Sequence, residues 1–153
     1  MRRALDLASR SISLVLLASI WLLPGFGRAA HPPTPNPVLF LSQVEYVTVG
    51  GKAVVRYNYG VMNSADFSND LFAKAPALPP CGANTNASRS WVDLYDMSGK
   101  RLNGFCALGK NSDLNGVWFT LPVDAIPPSY IYIEITDRQT NTKYKSNLAD
   151  TTM

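Results

Sequence analysis

The chain of 153 residues holds one histidine, His31, and two cysteines, Cys81 and Cys106. That inventory bounds the chemistry. A serine or cysteine nucleophile relies on a positioned base, usually an imidazole. His31 stands in the run His-Pro-Pro-Thr-Pro-Asn-Pro, which cannot hold one in place. Copper centres draw on several soft or imidazole ligands, so a single histidine leaves no metal or cofactor expected. Asp93, Asp96, Glu134 and Asp137 could supply a carboxylate pair for a small hydrolase. Asp93 and Glu134 alternate with apolar neighbours as solvated strand positions do, and no catalytic residue is assigned. Asp93, Asp96, Asp113 and Asp137 lie in or near turns that calcium could use, but Asp96-Met97-Ser98-Gly99 lacks the dense acid spacing of a calcium loop. The pattern that invites binding is aromatic. Trp91 and Tyr95 flank Asp93 on one strand face, and Tyr130 and Tyr132 share another with Glu134. Exposed, such a set recognises sugars or proteins. Phe72, in a long irregular stretch upstream, is a further contact candidate. The competing reading covers two of the rings with that stretch, whose Phe67, Leu71 and Phe72 need burial somewhere.

The elements that must position these residues begin after the N-terminal segment. Arg2, Arg3 and Arg10 precede an apolar run over 12–23, and Pro24-Gly25 and Gly27-Arg28-Ala29-Ala30 follow. A basic end, a short apolar centre and small residues at the boundary make a secretory signal peptide over 1–29, cut after Ala29. A spanning helix needs about 20 apolar residues, and Pro24, Gly25 and Arg28 stop this run short, so no membrane segment is expected once the signal is gone. Export by the general secretory route is expected, to the periplasm or beyond. Those 29 residues hold four of the 14 basic residues and one of the 11 acidic ones, so the rest has ten of each. A neutral domain lacks the clustered Lys and Arg that nucleic acid requires; a protein or polysaccharide partner remains. The Asn86-Ala87-Ser88 sequon is a glycosylation site only in a host that modifies exported proteins.

Residues 30–37 are a proline-rich leader of extended conformation. Period-two alternation then marks an all-β domain over 38–147. Val55, Tyr57, Tyr59 and Val61 form one strand face, Val92 and Leu94 another, and Ile131, Ile133 and Ile135 a third. Gly50-Gly51 and Gly99 suit tight hairpin turns. The strand pattern lapses between 62 and 90, where Ser68 can cap a helical turn with Asp70 near its start. A connection of this length is functional or poorly ordered. A return strand over 101–108 carries Cys106, and 148–153 is a polar tail expected to fray. In an exported chain Cys81 and Cys106, 25 apart, are expected to pair as a structural disulfide.

Seven to eight short strands in a domain of this size predict a two-sheet sandwich with Greek-key connections and one long irregular loop. The segment 121–137, with Pro127-Pro128 just before the alternating Tyr130-Ile131-Tyr132, resembles the sixth strand of fibronectin type III domains, within the wider immunoglobulin-like superfold. The resemblance implies that Tyr130 or Tyr132 hydrogen-bonds back across a corner. Antibody-type domains bridge their sheets with cysteines far apart and a tryptophan between; here Trp91 lies between the cysteines but the spacing is much shorter, so the bridge is expected to tie loop to hairpin. Fold alone does not give function. The sequence therefore predicts a non-enzymatic exported binding or structural module contacting partners through 62–90 and adjacent strands, with a sugar-binding domain as the alternative.

Overall fold

A computed structural model describes residues 34–152. The signal segment, its cleavage point and His31 lie outside the described residues. Eight strands follow in order: β1 Leu39–Val49, β2 Lys52–Val61, β3 Ser90–Asp96, β4 Arg101–Phe105, β5 Val117–Pro122, β6 Tyr130–Asp137, β7 Thr142–Lys145 and β8 Ala149–Asp150. They form two antiparallel sheets, β1-β2-β5 and β4-β3-β6-β7, with β8 also pairing to β6. The expected all-β two-sheet sandwich is present.

The alternation explains the layers. Val55, Tyr57, Tyr59 and Val61 turn inward from β2, and Val117 and Phe119 from β5. They meet Val92 and Leu94 of β3 and Ile131, Ile133 and Ile135 of β6, all five fully buried. Tyr57 and Tyr59 both stack on Phe119, at centroid distances of 4.9 and 6.1 Å. The Tyr59 hydroxyl, with its pKa raised by burial, donates to the Asp150 carbonyl at 3.3 Å. Hairpin chemistry follows the sequence: Gly50 and Gly51 have φ of +58° and +79°, and Gly99 of +86°.

Side chains lace the two open sides of the sandwich. Asn103 of β4 donates to the Trp118 carbonyl of β5 at 2.7 Å. Asn147 accepts from the Leu39 amide at 2.7 Å and donates to its carbonyl at 3.1 Å. This second clasp helps to explain why the tail past Asn147 does not fray as expected. Ala149 and Asp150 pair with Ile131 and Tyr130, and Thr151 is buried, its hydroxyl donating to the Pro128 carbonyl. The leader's end is also docked, with the Asn63 side chain bonding the Asn36 carbonyl and the Val38 amide. The return strand is shorter than expected, and Cys106 lies one residue beyond it.

The long connection divides in two. In its first half Ser68 accepts from the Asp70 amide and caps a 3₁₀ turn, Asn69–Phe72. Phe67, Leu71 and Phe72 enter the sandwich core, Phe67 edge-on to Tyr144 at 6.2 Å. A neck follows: Arg89 donates to the Ala73 carbonyl, Ala75 to Ala87, and Ser88 to Cys106. Residues 76–86 project from this neck as a lobe. The Cys81–Cys106 disulfide, with Cα atoms 6.3 Å apart, fastens the lobe to the end of β4. The bridge ties loop to hairpin, as the spacing suggested.

Candidate functional site

The outer face of the larger sheet is set by strand register. Asp93 stands opposite Glu134, Tyr95 opposite Tyr132 and Trp91 opposite Thr136. Side chains on one face of such pairs are neighbours, so the acids and rings singled out in the sequence do come together. They do not make one flat aromatic platform. Tyr95 and Tyr132 stack on each other at 5.3 Å, and the Lys145 ammonium sits 3.9 Å above Tyr132. The Tyr95 hydroxyl has its pKa raised, by burial first and then by Asp93 and Glu134. Tyr130 stands apart at 40% exposure. Among the described residues neither Tyr130 nor Tyr132 hydrogen-bonds back across a corner, as the resemblance had implied. Phe72 is fully buried and cannot touch a partner; it sits in the same core cluster as Phe67 and Leu71.

Cations compensate the two facing acids. Arg101 Nε donates to Asp93 Oδ1 at 2.7 Å, and Lys143 Nζ to Glu134 Oε1 at 2.8 Å. The other acids considered from the sequence serve local structure. Asp137, nearly fully buried, takes a two-pronged bond from Arg89 at 2.9 and 2.6 Å and further bonds from Thr140 and Gln139. These hold its carboxyl well below the usual range, at about 2, the Arg89 bond contributing most. Asp96 closes the β3–β4 turn by accepting from Ser98 and Lys100, and Asp113 accepts from the Gly109 and Lys110 amides. Among the described residues no three of His, Cys, Asp or Glu gather as metal ligands.

Beside Trp91 the face is concave. A pocket of about 320 Å³ is lined by Trp91 and Asp93 of β3, Arg101, Gly104 and Phe105 of β4, and the two bridged cysteines. Three local features build it. A register shift between Leu94 and Tyr95 leaves an extra residue on β4; such a bulge bends its strand and re-aims side chains. Gly104 stands opposite Asp93, and a Cβ there would collide with the Arg101 guanidinium and the Asp93 carboxylate. Glycine is therefore what lets Arg101 fold across the strand onto its acid. The lobe's Cys81 then closes one side.

Arg138 holds the pieces in place. Its guanidinium lies over the Trp91 ring at 4.4 Å and donates to the Ser88 carbonyl at 2.8 Å and to the Pro79 carbonyl of the lobe. It thus fixes ring and lobe together. The Trp91 indole N–H is buried with no hydrogen-bond partner among the described residues, a costly arrangement that calls for an explanation. The side chains that sequence reasoning missed are Arg101, Gly104, Phe105 and Arg138. A glycine inside a strand pattern was the one available signal, since it marks a bulge or a close approach.

The pocket presents apolar wall, one carboxylate and one guanidinium, a composition suited to holding a ligand. In comparison with known proteins, the chain matches no family model, and no curated protein or solved structure matches it significantly.

Proposed function

We propose that this is an exported, non-enzymatic binding module whose ligand seats in the pocket between the lobe, β3 and β4. The observation that carries the reading is the pocket itself, in which the bulge, Gly104, the Arg101–Asp93 pair and the disulfide all converge on one concavity. Concave, partly apolar sites with a few convergent polar groups are the usual form of small-ligand sites. A disulfide is at home in an oxidising compartment. No helix among the described residues is long and apolar enough to cross a membrane. Both are compatible with export.

The strand sets support an immunoglobulin-like, fibronectin type III-like assignment. First, second and fifth strands pair in one sheet and third, sixth and seventh in the other, as in seven-stranded immunoglobulin sandwiches. Here the fourth strand lies beside the third.

The test is co-sedimentation of the processed protein with insoluble polysaccharides, cell-wall material and membranes. Retention on one of these, lost on Trp91→Ala with folding intact, is the expected result. Retention that survives this change would remove the pocket from the reading.

A further inference from the structure

We infer that the pocket takes a neutral sugar ring, one unit of a glycan bearing adjacent free hydroxyls. This rests on the pocket being the binding site and adds the chemical class of what fills it. Three observations converge. The charged lining is a single acid and a single base already bonded to each other at 2.7 Å. An anionic ligand would meet Asp93 and a cationic one Arg101, each at a repulsive distance in a concavity of limited size. A neutral ligand meets no such conflict.

The pair also offers unused hydrogen-bonding capacity of both kinds. Arg101 spends its Nε on Asp93 and its terminal nitrogens make no hydrogen bond among the described residues, while Asp93 uses only Oδ1. A guanidinium donates and a carboxylate accepts. Held side by side, they present a donor edge next to an acceptor edge. A hydroxyl is both donor and acceptor, so two hydroxyls on neighbouring ring carbons satisfy that edge together: one accepts from Arg101 while the other donates to Asp93. Arg101 is 59% exposed and Asp93 18%, so the edge can be reached from solvent.

The rest of the lining comes from Trp91, Gly104, Phe105 and the two bridged cysteines, and it is more apolar than polar. A sugar ring has a C–H face as well as hydroxyls, and an aromatic wall beside a polar edge matches both. At about 320 Å³ the pocket is near the lower bound of small-ligand sites, which suits one or two rings. The stacked Tyr95 and Tyr132, with Lys145 above, leave no open aromatic plane for a long chain. Recognition is of a unit or a chain end.

The experiment follows backbone amide shifts of the processed, isotope-labelled protein during titration with cellotriose, maltotriose, xylotriose, triacetylchitotriose and, as an acidic control, digalacturonate. A neutral sugar is expected to shift the amides of residues 91–93 and 101–106. Its affinity should change less than about twofold between low and high salt, since a neutral ligand releases no counterions. Asp93→Asn and Arg101→Gln should each weaken it about tenfold or more. Preference for digalacturonate, with steep salt dependence, overturns the neutral class and leaves the pocket standing. Shifts confined to the smaller sheet overturn the pocket as well. If no sugar binds, the sugar class fails; a fragment screen read on the same amides then separates the two claims, since fragments shifting 91–93 and 101–106 retain the pocket and their absence removes it.

Discussion

Asp137 shows how far a single side chain can depart from its sequence-level reading. As an acid near a turn it was a candidate for metal or acid–base chemistry, but it is 2% exposed and clasped by Arg89, Thr140 and the Gln139 amide. Its folded pKa of about 2 lies below the ordinary 3.8. A depressed carboxyl contributes stability above the unfolded pKa and loses it as pH falls through the folded one. The difference is on the order of 2 kcal/mol. Urea unfolding should show stability holding above about pH 5 and falling between about pH 4 and 2. Asp137→Asn should lose about 2 kcal/mol at neutral pH and show a much weaker acid limb. An unchanged acid limb in that variant would place the titration elsewhere. Phe72 makes a second test at this scale. Its ring is fully buried, so Phe72→Ala should cost about 3–5 kcal/mol. Tyr130→Ala, at an exposed position, should cost only about 0.5 kcal/mol or less. Both are read from denaturant midpoints.

The strands were legible because burial on one face writes itself as period two, and Tyr57-x-Tyr59-x-Val61 and Ile131-x-Ile133-x-Ile135 point where the pattern says. The turns were legible because Gly50-Gly51 and Gly99 supply backbone angles that other residues resist. β8 was not, since Ala149–Asp150 is too short to carry a period and its approach is fixed by the bonds of Asn147 to Leu39 on the other sheet. The pocket was not legible either. Its parts come from a bulge, a glycine and a disulfide that only register brings together, and Arg138 reaches Trp91 and the lobe from beyond the end of β6. The disulfide has a role at this scale that differs from a general staple. Phe67, Leu71 and Phe72 anchor the first half of the connection independently of it, while the lobe depends on the bridge, the neck and Arg138. Replacing both cysteines by serine should therefore lower stability by up to about 3 kcal/mol, the loop-closure figure for this separation. The sandwich should remain folded, with rapid proteolysis confined to 76–86 and ligand retention lost. Retention unchanged by the double substitution would mean that the lobe does not form the site's wall.

For the whole molecule, the two sheets differ in what they offer. The smaller sheet and its margins expose scattered apolar groups such as Tyr46, at 77% exposure, and Val49; singly exposed groups of this kind need no functional explanation. The larger sheet carries compensated charges and the pocket. Removal of residues 1–29 would leave basic and acidic residues balanced, and under the proposed export N-terminal sequencing of the protein should begin at Ala30. A sequence beginning at Met1 or Arg2 would indicate a retained anchor instead. The decisive comparison sets the two faces against each other in the co-sedimentation assay. Gly104→Val places a side chain where Arg101 and Asp93 now lie, and Tyr46→Ala removes the most exposed ring of the opposite sheet. With folding of both variants verified by unfolding curves, Gly104→Val should abolish retention and Tyr46→Ala should leave it unchanged. Loss of retention in Tyr46→Ala, with Gly104→Val behaving as the unaltered protein, would contradict the pocket as the binding site.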